Sequence, residues 1–209
     1  MLIDGRQVYG DYYGFTPWSA LPVELAAIRQ IEIVKGPNSA LFGFNAVGGV
    51  INIVTYNPLY DDVNTASLSG GTQGLAQGSV VTSFKLGDVG AVRLSGSGGS
   101  NNDFSTPIPR TSAQSPRLGD NHGAADLDGV FRLGNGIELG IEASHSQAAE
   151  NGFNAGYLFD YFHYVTDSVK GQLSADTAFG QIRPPSITIG TGRTTAREYS
   201  TRNCASTIS

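Results

Sequence analysis

From about residue 62 onward, apolar and polar residues alternate in runs broken by turn residues, the period-two pattern of strands covered differently on their two faces. Strands are predicted over 62–72, 75–87, 89–99, 123–134, 136–147, 163–177 and 180–190, in the order of an antiparallel meander. The connections at Gly87-Asp88, Gly134-Asn135-Gly136 and Ala178 to Gly180 are tight, whereas Ser100 to His122 and Gln147 to Phe162 are long. Apart from a short first loop, tight and long connections therefore alternate, as in a membrane barrel whose two ends face different compartments.

The charges follow the same parity. Val80, Thr82, Phe84 and Leu86 share one face of the second segment, with Ser79, Ser83 and Lys85 on the other. Val92 and Leu94 oppose Ala91, Arg93 and Ser95, and Leu127, Phe131 and Leu133 oppose Asp126, Asp128 and Arg132. Ile137, Leu139, Ile141 and Ala143 likewise oppose Glu138 and Glu142, and Val165, Val169 and Leu173 oppose Lys170, Gln172 and Asp176. A lysine or arginine turned toward lipid at mid-bilayer costs about 2–4 kcal/mol, so this sorting suits a lipid-facing wall. Asp167 alone stands on the apolar parity, close to a long loop, where a charge at the interface costs about 0–1 kcal/mol. The neighbouring "YFHY", Tyr161 to Tyr164, would suit an aromatic girdle. A soluble β-sandwich shows the same alternation with its apolar face turned into its own core, and periodicity alone leaves that alternative open.

Before residue 60 the elements are short and mixed. "LPVELAAI" has Pro22 where a helix can begin and Val23, Ala27 and Ile28 at helical spacing. "RQIEIVK" alternates as a strand and stops at Gly36-Pro37, "NSALFG" reads as one helical turn ending at Gly43, and "GGVINIVTY" is the next strand. "NPLYDD" reads as a linker.

Composition narrows the class. With 40% apolar residues the chain can build a core, yet only 15% are charged, below the roughly 25% of ordinary soluble domains. No apolar run reaches the roughly 18 residues of a spanning helix, so membrane residence requires a barrel. The single Cys204 excludes an internal disulfide framework, and the net charge of −5 argues against nucleic acid as a partner. Met1 opens directly on "LIDGRQVYG" with no leader-like segment, so export would place the natural N-terminus upstream.

The stretch Ile28 to Thr55, "IRQIEIVKGPNSALFGFNAVGGVINIVT", carries the most specific pattern. Glu32, Lys35, Gly36, Pro37, Ser39, Leu41, Phe42, Gly43, Ala46, Gly48, Gly49, Val50, Ile51, Asn52 and Thr55 stand at the spacing of the C-terminal part of the plug in TonB-dependent outer-membrane receptors, which this stretch resembles. "LIDGRQVY" and "LPVELAAI" look like the preceding plug elements.

The resemblance implies a mainly β chain: a small mixed α/β plug portion over 1–57, a linker over 58–62, the first strands of an incomplete transmembrane β-barrel over 63–190, and an irregular tail over 191–209. It implies an outer-membrane location in bacteria, membrane lipid around the wall, an extracellular nutrient as ligand and the TonB–ExbB–ExbD complex as energising partner. The nutrient classes are siderophore-iron, haem, cobalamin or glycan. Family barrels have about 22 strands, so seven would leave two unpaired edges.

The plug-motif residues are expected to fold and gate the plug, with Gly36-Pro37 and Gly48-Gly49 supplying reversals and Glu32 and Lys35 facing wall charges. Ligand contact is expected from "VYGDYYGFTPW", where Tyr9, Tyr12, Tyr13, Phe15 and Trp18 supply rings with low entropic cost. No enzyme, cofactor or metal site is expected. "GPNSALFG" lacks the Lys-Ser/Thr of a P-loop, Ser39 is not in G-x-S-x-G, and His122, His145 and His163 lack ligand spacing. The rival function is a soluble or surface-attached β-sandwich adhesion module.

After Arg183 the periodicity decays into a Ser-, Thr- and Arg-rich tail. A frame change is one hypothesis, since codons able to encode Pro185 to Gly192 also spell, one base out of step, Ala-Leu-Tyr-His-Asn-Arg-Tyr-Gly. The coding DNA decides it, and an uninterrupted frame with no alternative strand would sink it.

Overall fold

The computed structural model describes residues 1–8, 16, 18–37, 39–42, 46–102, 119–153, 159–177, 180–182 and 187–196. It is built from two sheets. The smaller runs in the order β2-β1-β4-β3, with β1 (Leu2–Ile3), β2 (Arg6–Gln7), β3 (Ile28–Lys35) and β4 (Gly49–Thr55). β1 lies parallel to β4, and the other pairs are antiparallel. Between β3 and β4 sits α1 (Ser39–Phe42), the single turn read from "NSALFG". The helix read from "LPVELAAI" is only a 3-10 turn, Leu25–Ala27, because Ile28 is already extended as the first residue of β3.

The larger sheet is the meander: β5 (Asn64–Gly70), β6 (Ala76–Lys85), β7 (Gly90–Asn101), β8 (Asp120–Gly134), β9 (Ile137–Phe153) and β10 (Phe159–Thr177) pair in sequence. β11 (Gly180–Ile182) and β12 (Ile187–Ala196) both pair with β10, so they form one broken last strand. The sheet does not close on itself.

β8, β9 and β10 extend three to six residues farther toward the long connections than the alternation predicts. On β9 the first residues there are polar or small on both faces, as in Gln147-Ala148-Ala149-Glu150, and on β10 aromatic residues fall on both parities, as in Tyr161-Phe162, so the pairing continues where the period-two signal has ended. The last strand likewise runs to Ala196, six residues into the stretch read as an irregular tail. β10 offers it a continuous ladder of main-chain groups, and that pairing makes little demand on side-chain periodicity.

Which face of the meander is buried separates barrel from sandwich. The apolar parity is exposed, with Val80, Phe84, Leu94, Leu127, Val169 and Leu173 all open. The polar parity is covered: Arg93 is 2% exposed, Lys170 5% and Ser146 0%. A sandwich requires the opposite assignment, so that alternative falls.

The polar limit of the outer face is also oblique. Ala66, Val80, Gly96, Ala125, His145 and Asp167 form one register row, apolar or small on β5 to β8 and polar on β9 and β10. One row farther toward the long connections, exposed Leu68 on β5 corresponds to Gln147 on β9. A sloping limit is expected where strands tilt by about 35–45° from the membrane normal.

Of the "YFHY" residues, only Tyr161 and His163 share the outward parity of Asp167; Tyr164 is buried and Phe162 packs against the same inner cluster. Four consecutive residues of a strand cannot all join a girdle, because alternate side chains leave by opposite faces. Asp167 itself is paired, its Oδ1 lying 2.7 Å from Nδ1 of His145 directly opposite it.

A Leu127→Arg substitution, on the outward face, is expected to cost about 2–4 kcal/mol of stability in a bilayer. Denaturant titration of the protein in vesicles measures this, and unchanged stability would remove the membrane assignment of the face.

Candidate functional site

The covered polar face holds the small sheet, and three contacts define the seat. The first is the turn between β1 and β2. Asp4 has φ +47° and Gly5 φ +79°, a reversal within four residues. The Asp4 carboxylate fixes the turn to β4 by accepting from Thr55 N at 2.9 Å and Thr55 Oγ1 at 2.8 Å. Its backbone carbonyl is thereby aimed at the meander, where Lys170 Nζ donates to it at 2.7 Å and to Glu142 Oε1 at 2.6 Å. Beside it the Arg6 guanidinium donates to Ser144 Oγ at 3.1 Å and to Ser168 Oγ. These two serines, from adjacent strands, are 2.7 Å apart.

The second contact holds the linker. Arg93 on β7 donates to the Tyr56 carbonyl and lies 3.3 Å from Asp128 and 3.6 Å from Asp126 on β8. Lys85 at the end of β6 donates to the carbonyls of Pro58 at 2.6 Å and Leu59 at 2.8 Å. The stretch read as a linker is thus a turn, closed by Asn57 and Asp61 and clasped by two strand cations.

The third is the 3-10 turn Trp18–Ala20. Ser19 Oγ donates to Glu150 Oε2 at 2.6 Å, Ser146 Oγ donates to the Ala20 carbonyl at 2.7 Å, and Ala20 packs on Ala148 and Tyr164. Phe162 stacks on Tyr164 with ring centroids 6.2 Å apart.

The sequence-predicted residues lie differently from this seat. Glu32 accepts from Gln30 Nε2 at 2.7 Å and Asn52 Nδ2 at 3.0 Å, within the small sheet, and it meets no charge of the meander. Lys35 ends β3 and is exposed. The expectation that Glu32 and Lys35 face wall charges therefore fails for the described strands. β3 is the outer strand of the small sheet, and β1 and the two turns make the contact instead.

Gly36 has φ +97°, and Pro37 follows it before Ser39 opens α1. Gly49 has φ +148° and would carry a Cβ only 2.6 Å from the Val34 carbonyl, so strands β3 and β4 approach there as no other residue allows. Gly48 accepts the Gly36 N–H at 3.2 Å. Asn52 joins two neighbours, donating to Glu32 and accepting from Gly5 N at 3.4 Å. Trp18 is exposed at the end of the aromatic segment. Tyr9, Tyr12, Tyr13, Phe15 and Gly43 lie outside the described residues.

Sequence reading did not single out Asp4, Arg6, Ser19, Arg93 and Lys170 as a joint site. The usable signal was a cation in mid-strand on the polar parity, a group that must find acceptors when that face is covered. Among the described residues no cluster of His, Cys, Asp and Glu could hold a metal.

Comparison with known proteins gives this arrangement its family. The description "TonB-dependent Receptor Plug Domain" matches residues 1–50, the segment that forms most of the small sheet. Residues 1–50 thus match the plug domain of TonB-dependent receptors. It is similar to the vitamin B12 transporter BtuB of Vibrio vulnificus, 27% identical over 110 residues, or 53% of this chain and 18% of that protein. The vitamin B12 transporter BtuB of Photobacterium profundum is 31% identical over 90 residues, covering 43% of this chain and 14% of that one. The closed form of the ferric-catecholate import receptor Fiu from E. coli K12 shares the fold, with a TM-score of 0.70 at 20% identity over 93% of this chain and 29% of that one. The chain thus spans less than a fifth of the curated relatives and under a third of the solved receptor. These relatives are transporters and receptors, not enzymes. The small sheet is the plug portion and the meander is part of the wall.

Arg93→Ala is expected to destabilise the wall by about 3–5 kcal/mol, because Asp126 and Asp128 lose their cation at a covered site. Chemical denaturation measures it, and a loss below about 1 kcal/mol, the level of an exposed pair, would contradict the burial. Lys170→Met is expected to speed amide exchange across Leu2–Gln7 while β7 and β8 stay protected, and unchanged exchange in the turn would show that Asp4 is held by other means.

Proposed function

We propose that this chain is the plug-to-wall portion of a bacterial outer-membrane receptor that imports a large, scarce nutrient with energy delivered through TonB, ExbB and ExbD. The carrying observation is the inverted sheet, whose apolar face is open and whose polar face is occupied by the plug portion. A polar face buried against a polar insert fits a plugged pore, since both surfaces can be wetted again when the insert moves. Residues 1–57 act as the plug part, 58–62 as the linker and 63–190 as wall, with the last strand continuing to Ala196.

The nutrient reading is kept at the level of a siderophore-iron, haem, cobalamin or glycan ligand. The curated relatives are vitamin B12 transporters and the solved fold relative imports a ferric catecholate, so their names favour a metal-bearing organic ligand. Trp18 is the described member of the proposed binding group. Its neighbours Ser19 and Ala20 are fastened to β9, so ligand pressing on this segment would bear on the wall as well as the plug. Tyr9, Tyr12, Tyr13 and Phe15 complete the proposed contact surface. Glu32, Lys35, Gly36, Pro37, Ser39, Gly43, Gly48, Gly49 and Asn52 are assigned to plug folding and gating.

The test uses the full-length receptor. It should need detergent, shift its gel mobility on boiling, and support uptake of labelled cobalamin or ferric siderophore that stops when TonB is deleted. Uptake independent of TonB, or clean solubility without detergent, would reject the reading. Trp18→Ala is expected to weaken binding of the transported ligand by about tenfold, the scale of a buried aromatic anchor, and unchanged affinity would remove Trp18 from the site.

A further inference from the structure

The direct hydrogen bonds of the seat leave a small, largely enclosed space between the plug turn and the wall. Asp4 and Arg6 border it from the plug side, and Arg93, Asp126 and Glu142 border it from the wall. The room it offers to the centre of a water molecule is about 10 Å³, which is enough for one.

Two donors at this place are unsatisfied. Arg6 is 7% exposed and Arg93 2%, and the Nε of each has no hydrogen-bond partner among the described residues. Their outer nitrogens are occupied, those of Arg6 by Ser144 and Ser168 and those of Arg93 by the Tyr56 carbonyl. Leaving a buried donor of a charged group unpaired is costly, so two of them beside one space call for a shared acceptor. Acceptors for a bridging group stand opposite. Asp126 lies 3.6 Å from Arg93 Nη2, outside hydrogen-bond length, and Glu142 commits only Oε1 to Lys170, so both carboxylates keep lone pairs.

Charge and size together name the occupant. Two guanidinium groups repel a metal cation, the carboxylates of Asp4, Asp126 and Glu142 repel an anion, and the volume is too small for an organic molecule. What remains is a neutral group that both accepts and donates. We propose that one water molecule is bound here, accepting from Arg6 Nε and Arg93 Nε and donating to Asp126 and Glu142. Four partners lie within the range that holds a buried water in place. The direct bonds of Arg6 reach only β9 and β10, whereas this water ties it to β7 and β8 as well. The cation that fixes the plug turn and the cation that clasps the linker are thereby joined through one solvent molecule. The site requires the plug portion to be seated in the wall and is independent of which nutrient is carried.

X-ray hydroxyl-radical labelling of the full-length receptor, read by mass spectrometry, tests it, because radicals formed from a bound water attack the side chains around it. Ile3 borders the space and is 3% exposed, while Val50, 5% exposed, does not border it. Ile3 is expected to be oxidised severalfold more than Val50 once their intrinsic reactivities are divided out. Val23→Ile adds a methyl group at the border of the space and should bring Ile3 down to the level of Val50. Equal labelling of Ile3 and Val50 in the unaltered receptor would overturn the proposal whether or not the variant folds. So would undiminished labelling of Ile3 in a Val23→Ile receptor that still shifts on boiling.

Discussion

Everything in this chain depends on cations that the wall buries and does not fully satisfy by itself. Arg93 and Lys170 sit in mid-strand on the covered face, and each has carboxylates within the wall: Asp126 and Asp128 for one, Glu142 for the other. One further donor of each goes to a main-chain carbonyl of the plug side, Tyr56 for Arg93 and Asp4 for Lys170. Lys85 repeats the device on the linker. A carbonyl is present at every residue, so what the wall recognises is a backbone conformation. The side chains that matter most are those that set it, as the Asp4 carboxylate does by holding Thr55.

This mode of attachment fixes the small sheet at a few points. An apolar interface of similar extent would gain with every Å² removed from water, whereas each net hydrogen bond contributes about 0.5–1.5 kcal/mol. Fixation therefore comes from geometry at a few points, with modest energy behind each. The described apolar contribution is small, essentially Ala20 between Ala148 and Tyr164 with Phe162 alongside.

Alternation made the strands legible but not which face would be covered. A periodic sequence is symmetric between barrel and sandwich, and in the sequence it is the plug motif of Ile28 to Thr55 that separates the two. The strand ends on the long-connection side are harder, since β9 there turns polar or small on both faces and β10 carries aromatic residues on both, so the period fades while hydrogen bonding continues. Aromatic residues near a loop suit a girdle, yet strand alternation sends Phe162 and Tyr164 inward onto Ala20. The seat was least legible of all. Asp4, Arg6 and Ala20 make it through backbone carbonyls and paired serines, which no residue pattern announces.

The motif residues nevertheless connect to that seat through the interior of the small sheet. Glu32 on β3 accepts from Asn52 on β4, and Asn52 accepts from Gly5 N in the turn that presents the Asp4 carbonyl to Lys170. Lys170 in turn holds Glu142. A line of polar contacts thus runs from the outer strand of the plug sheet to two adjacent wall strands, with Asn52 at its junction. The charge expected of Glu32 at the wall is reached through two intermediates. That gives a physical reason for an asparagine at this motif position: it must donate on one side and accept on the other. Aspartate would lose the donor, and an apolar residue of the same size would lose both, separating the strand that carries the motif from the turn that anchors it.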